Sequence, residues 1–214
     1  MITVSAFRWV PTFARGLVRD LRVRWALEEA GLPYKAWLIG PDDQKSERSR
    51  AMQPFGQVPA YEEDDLVLFE SGAILLHIAD RGPDAVGLKS TRPSNGLDVR
   101  GTDTIEPHIQ NLTAIDLFHA EEDWAKKRRP AAVKFAQTRL AALSDWLDSR
   151  DYLEDRFTVA DLLMTTVLRI LRHIDLVTQM PTLEAYRLRC ETRPAFKKAL
   201  AAQMADFSDK ASAA

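Results

Sequence analysis

The chain of 214 residues contains a single cysteine, Cys190. One thiol excludes an internal disulfide framework and a cysteine-rich zinc site. An excess of either charge is also missing: 29 Lys and Arg against 31 Asp and Glu leave −2. No basic field exists to release counterions from nucleic acid or to hold an anionic membrane, so neither is expected as a partner. Long apolar runs are absent too. The most apolar window, Ala160 to Leu168, is broken by Asp161, Thr165 and Thr166 and is too short to span a bilayer. The first residues, Met1 to Arg8, lack the basic start and apolar stretch of a secretory leader, which sets the expectation of a cytoplasmic, reducing location. With 46% hydrophobic and 28% charged residues, the composition is that of a globular protein able to bury a core.

The chain divides into two textures. Ile2–Ala6 and Tyr34–Ile39 are short apolar runs of strand length. Between them Phe13, Leu17, Val18, Leu21 and Trp25 recur at helical spacing, and Gly31 and Pro33 supply a stop. A polar helix is predicted around Ser46–Met52. Val58–Tyr61 and Leu66–Phe69 read as two strands of a hairpin joined by the acidic turn Glu62-Glu63-Asp64-Asp65. Ser71 then opens an apolar helix. This order predicts a mixed four-stranded sheet with helices on its faces over residues 1–82. Gly82, Pro83, Gly87, Pro93 and Gly96 mark a linker over 83–97. From 98 to 207 only helical periodicity follows, in stretches near 98–123, 130–149, 158–172, 182–191 and 194–205. Pro130, Pro181 and Pro194 fall at or near the expected helix starts. The run Lys126-Lys-Arg-Arg129 after Trp124 reads as a basic helix end, and 208–214 as a flexible tail.

The segment Pro54-Phe-Gly-Gln-Val-Pro59, followed at a distance by Glu70-Ser-Gly-Ala-Ile74, carries most of the chemical information. A proline opening a strand cannot donate to the ladder and belongs at an edge or special position. A cis Val58–Pro59 bond would turn the Val58 N–H and C=O towards solvent, where an extended peptide could pair with them as a further strand. At Glu70-Ser71 a helix N-terminus, a hydroxyl and free N–H groups favour a carboxylate, while the Glu70 side chain can pair with an ammonium. Together these describe an α-amino-acid head group beside a bound peptide backbone: a γ-glutamyl peptide.

At these residues the chain resembles the cytosolic glutathione transferase superfamily, in its bacterial form. The resemblance covers nearly the whole length: an α/β thioredoxin-like N-terminal domain, a linker, and an all-α C-terminal domain. Phe55-Gly-Gln-Val-Pro-Ala60 and Glu70-Ser-Gly-Ala-Ile74 are similar to that family's glutathione-site motif, which implies glutathione contacts from Val58, Pro59, Glu70 and Ser71. Gln44, Lys45 and Gln57 stand where related classes hold the glycine carboxylate. Phe157-Thr-Val-Ala-Asp161 is similar to the family's buried capping box, and its physics stands alone: Thr158 caps the first N–H groups and Asp161 returns a bond to the cap. Tyr186 and Arg193-Pro-Ala-Phe196 complete the C-terminal pattern.

In this superfamily the nucleophile is the glutathione thiol, with an ordinary pKa near ~8.5. Lowering it by about two units corresponds to ~2.7 kcal/mol of thiolate stabilisation. The implied device is a Tyr, Ser or Cys at the N-terminus of the first helix, aided by the helix dipole. Here the chain departs from the family. Aligned on Pro11, the position is Val10, which has no donor. Thr12 is the nearest hydroxyl, with the Trp9 indole N–H, Arg15 and the backbone N–H groups of the 11–14 segment as alternatives. The resemblance further implies a pocket for a small hydrophobic electrophile lined by Trp9, Phe13, His108, Leu112, Ile115 and His119. It implies a homodimer, glutathione as co-substrate and no metal. The expected activity is a glutathione transferase. The alternatives are a catalytically weak glutathione-binding or interaction protein, or a lyase or isomerase of the same fold.

Overall fold

The computed structural model describes residues 1–81, 88–89, 99–154 and 156–208. The expected linker 83–97 lies outside them except for Leu88 and Lys89, as does the tail beyond Ser208. Two compact units result. One joins Met1–Lys89 to the end of the chain from Arg193; the other runs from Ser90 to Thr192.

In the first unit β1 (Ile2–Phe7), β2 (Tyr34–Ile39), β3 (Ala60–Glu63) and β4 (Leu66–Phe69) form one sheet in the order β2-β1-β3-β4. β1 and β2 are parallel, with Val4 opposite Ala36. β3 runs antiparallel to β1 with Tyr61 opposite Val4, and β4 antiparallel to β3. The parallel pair requires a crossover, supplied by α1 (Asp20–Glu29). α2 (Pro41–Lys45), α3 (Glu47–Met52) and α4 (Ser71–Ala79) complete the α/β body. This is a thioredoxin-like domain with a four-stranded mixed sheet.

Several boundaries differ from the periodicity reading. β3 starts at Ala60 rather than Val58, and the hairpin turns on Asp64 and Asp65, with Asp64 at φ 50°. α1 starts at Asp20, not near Phe13, and is therefore a short helix of 10 residues. Gly16 at φ 77° interrupts any helix that would run from residue 13 into it. What precedes it is a single 3-10 turn, Thr12–Ala14. α2 is an additional element between β2 and α3, opened by Pro41.

The second unit is helical among its described residues: α5 (Val99–Phe118), α6 (Asp123–Leu147), α7 (Val159–Arg169) and α8 (Pro181–Glu191). Its core is α7, in which Val159 to Leu168 are all buried. The Thr158 hydroxyl accepts from Ala160 N–H at 3.3 Å, while Asp161 accepts from Thr158 N–H at 2.9 Å. Asp161 also accepts from Leu153 N–H at 2.8 Å and from the Tyr186 hydroxyl at 3.0 Å, joining the preceding loop and α8 to the cap. Pro181 and Pro194 are first helical residues, as expected, but Pro130 is not: α6 begins seven residues earlier and holds it in its interior. The run 126–129 accordingly lies near the beginning of a helix rather than its end. Acids offset two of these four cations: Asp116 grips Arg129 and Glu121 faces Lys126.

The last helix, α9 (Pro194–Asp206), which periodicity groups with the helical domain, packs on α1 in the first unit. Phe196 meets the fully buried Trp25 edge-on at 4.8 Å. Arg193 pairs with Glu29 through two hydrogen bonds of 2.5 and 2.7 Å, and Lys198 with Glu28 at 2.7 Å. Deeper in, Arg24 Nε donates to Asp20 at 2.8 Å and its Nη2 pairs with Asp206 at 2.7 Å. Helical periodicity shows that a face is apolar; it does not show which body the face covers.

Candidate functional site

The segment before β3 is held from three sides. Gln44 of α2 donates to Gly56 C=O at 2.8 Å, Arg50 of α3 to Pro54 C=O at 2.8 Å, and Gln57 N–H to the Gln53 side chain at 3.2 Å. Gly56 sits at φ 68°, a left-handed conformation that calls for glycine. The Val58–Pro59 bond is cis. On its far side Ala60 N–H donates to the buried Ser5 hydroxyl at 2.7 Å, which ties the start of β3 to β1.

β4 leads into α4 through Glu70, which takes φ 68° and ψ 114°. A non-glycine residue in that region costs roughly 1–3 kcal/mol and persists where its surroundings impose it. The Glu70 side chain is exposed and has no hydrogen bond or ion pair among the described residues. Ser71, 8% exposed, begins the helix. Beneath it Arg22, 4% exposed, reaches from α1 and donates to Ser71 Oγ at 3.3 Å. A hydroxyl that accepts from a guanidinium keeps its own proton to give, so Ser71 is oriented as a donor beside the α4 N-terminus. Arg22 was not singled out by sequence reading; its only signal there is a cation among the apolar residues of α1.

Comparison with known proteins decides the family. Residues 14–80 match the model for the glutathione S-transferase N-terminal domain. Glutathione S-transferase F13 of Arabidopsis thaliana is 30% identical over 167 residues, 69% of this chain and 74% of that protein. Glutathione S-transferase 4 of Zea mays is 30% identical over 212 residues, 91% of each. The chain belongs to the glutathione S-transferase family. Its fold agrees with the crystal structure of a glutathione transferase family member from Pseudomonas fluorescens, solved with two glutathione molecules bound. That structure has a TM-score of 0.78 at 22% identity, covering 93% of this chain and 92% of the other.

The segment between β1 and α1, residues 8–19, holds no Tyr, Ser or Cys. The family match begins only at residue 14, so Trp9 to Phe13 precede it. Val10 is 8% exposed and carries no donor. Thr12, exposed, opens the 3-10 turn instead of α1, and Arg15 donates to Ser208 C=O at 2.9 Å with its guanidinium over the Phe207 ring. Asp20, the first residue of α1 and 1% exposed, accepts from Arg24 and from Gln203 Nε2 at 2.7 Å. Burial pushes its carboxyl up to about 6 against the lowering pull of Arg24. At the start of α1 the Leu21 and Arg22 N–H groups donate to Val18 and Arg19 C=O at 3.0 and 3.1 Å, in the turn that precedes the helix. An apolar cavity of about 250 Å³ does open at the loop, and it brings together Trp9, Val10 and Gln44.

Lys45 and Gln57 are exposed, on α2 and on the segment before β3. Phe13 is 40% exposed on the 3-10 turn. In the second unit His108 stacks on Phe135 at 5.8 Å, while His119 bonds to Glu122 at 2.7 Å and faces Trp124. Leu112 and Ile115 are buried on α5. Among the described residues, no group of three or more His, Cys, Asp or Glu is arranged to hold a metal, and no helix is long and apolar enough to cross a membrane.

Proposed function

We propose that this chain is a cytoplasmic glutathione transferase, which binds glutathione in its first unit and promotes attack of the thiolate on a small hydrophobic electrophile, in the service of detoxification. The observation that carries the reading is the Arg22–Ser71 pair at the start of α4, beside the unengaged Glu70 carboxylate. Ser71 and the helix N-terminus would take the γ-glutamyl carboxylate, Glu70 the ammonium, and the Val58 backbone, next to Pro59, the cysteinyl backbone. Lys45 and Gln57 would meet the glycine carboxylate, with Gln44 bracing the loop between them. The sulfur would then lie towards the cavity at Trp9, where the Thr12 hydroxyl, the Trp9 indole and Arg15 are the donors at hand. Isothermal titration with glutathione and S-hexylglutathione at millimolar ligand should show saturable binding; no heat with either overturns the reading. Glu70→Ala should weaken glutathione at least about tenfold, a loss of ~1.4 kcal/mol, and an unchanged affinity removes Glu70 from the site.

A second reading, a glutathione-binding protein with negligible turnover, is favoured by Val10, whose side chain offers no donor. The thiolate absorbance of bound glutathione followed against pH, together with turnover of an aryl halide, separates the two. An unshifted thiol and no turnover select the second.

Homodimerisation is part of the same proposal. β4 is an edge strand with Leu66, Val67 and Phe69 37–41% exposed, and Phe55, 67% exposed, packs its ring edge against Phe69. Such an apolar edge is ordinarily covered. Light scattering should report twice the chain mass, and Phe55→Glu with Val67→Glu should return it to one chain. A monomeric parent contradicts the assignment.

A further inference from the structure

α9 ends at Asp206, and Phe207 leaves it in extended backbone, φ −76° and ψ 123°. The two residues after the helix meet the loop that follows β1. Ser208 N–H donates to Arg8 C=O at 2.9 Å, and its hydroxyl to the same oxygen at 3.3 Å. Ser208 C=O accepts in turn from Arg15 Nη2 at 2.9 Å. The Arg15 guanidinium lies 5.8 Å from the centre of the Phe207 ring, within the ~6 Å reach of a cation–π contact. One residue thus holds both ends of the loop, from 200 and 193 positions away in the chain.

The loop between those ends buries little of its own. Of residues 9–14 only Val10 is buried, and the 3-10 turn Thr12–Ala14 contains no buried residue. Its internal bonds are local, Ala14 N–H to Pro11 C=O at 2.8 Å and Arg15 N–H to Thr12 C=O at 3.3 Å. A segment with few buried contacts and short-range bonds opens at low free energy unless it is tied from outside. The same loop makes one wall of the apolar cavity, through Trp9, Val10 and Pro11, with Ile39 to Pro41 opposite. Arg8 also joins the two walls: its guanidinium donates to Leu38 C=O and to Asp43 of α2, each at 3.2 Å.

We infer that Phe207 and Ser208 are positioning residues, a clamp that keeps the Trp9–Pro11 wall in the shape that receives the group carried on the glutathione sulfur. The inference rests on the glutathione reading above and deepens it, giving the residues after α9 a part in selecting the S-substituent. They act through Arg8 and Arg15 rather than by touching the ligand. An open loop leaves the locus on β3 and α4 intact, and lowers affinity for the substituent by the fraction of molecules whose loop is out of place.

Two variants of the full chain open the clamp. Ser208→Pro removes the N–H and the hydroxyl together, and the extended Phe207 already has the backbone that a residue before proline adopts. Phe207→Ala removes the ring beneath Arg15. In both, S-hexylglutathione should bind at least about fivefold more weakly, as when the competent loop falls to about a fifth of the molecules, while glutathione stays within about twofold of the parent. Ser208→Ala, which loses only the 3.3 Å bond, and Phe207→Tyr, which keeps a ring under the guanidinium, should match the parent. Hydrogen exchange at the Ala14 and Arg15 N–H groups should accelerate at least about tenfold in the two opening variants and stay unchanged in β1. Equal weakening of both ligands, undiminished S-hexylglutathione affinity, or unaltered exchange in the loop would each overturn the inference. A parent that binds neither ligand overturns the glutathione reading instead, and loop exchange alone then decides whether the clamp holds.

Discussion

Asp161→Ala should destabilise the second unit by about 3–5 kcal/mol, the range for breaking a fully buried polar network. Removing the carboxylate strands Leu153 N–H, Thr158 N–H and the Tyr186 hydroxyl, all of which it satisfies at 2.8–3.0 Å. Each buried donor without a partner costs about 1–3 kcal/mol. Thr158→Ala, which removes the cap and one 3.3 Å bond to Asp161, should cost about 1 kcal/mol. Urea unfolding of both variants gives the comparison. Equal losses would mean that Asp161 acts only as half of a capping box and that its bonds to the loop and to α8 contribute nothing.

Acidity gives a second handle on the same residue. Burial raises the Asp161 carboxyl to about 6 from 3.8, although four hydrogen bonds pull it down. The folded chain thus holds this proton more tightly than the unfolded chain does. Its contribution is fully present below about pH 4 and is lost as pH rises towards 6, by about 3 kcal/mol in all. Asparagine cannot ionise. The stability gap between the parent and Asp161→Asn should therefore narrow by about 3 kcal/mol between pH 4 and pH 7. A gap that widens with pH would show that the donors around Asp161 outweigh its burial.

Much of this architecture is legible in the residues because it rests on local chemistry. β2, β4 and the capping box lie where alternating apolar runs and the Thr158/Asp161 spacing put them. Val58-Pro59 and Glu70-Ser71 mark the proposed glutathione locus because a proline opening a strand and a helix start are one-dimensional signals. What is not legible depends on distant partners. Arg22 beneath Ser71 and Ser5 beneath Ala60 are 49 and 55 residues away from the groups they hold. α1 looked longer because Phe13, Leu17, Val18 and Leu21 share a helical period, yet Gly16 in a left-handed conformation breaks the chain there. Pro130 reads as a helix start because proline is favoured there, whereas α6 carries it inside, on an exposed face.

The link between α1 and α9 yields the other large effect. Arg24→Met should cost about 3–5 kcal/mol, since it leaves Asp20, 1% exposed, as a buried acid without its counter-charge. Adding Asp20→Asn should recover at least half of that loss: the amide oxygen still accepts from Gln203, and no buried charge remains. Asp206, 28% exposed, can turn to water in either variant. The same Gln203 amide that bonds Asp20 also donates to Val18 C=O at 3.1 Å, in the turn that leads from the Trp9–Arg15 loop into α1. Loosening α9 should therefore reach that loop. Hydrogen exchange at Leu21 and Arg22 and the affinity for S-hexylglutathione should change together in Arg24→Met and return together in the double variant. If stability recovers while affinity does not, the helix ending the chain supports α1 without ordering the loop, and the effect of Arg24 on the site must pass through Arg22 alone.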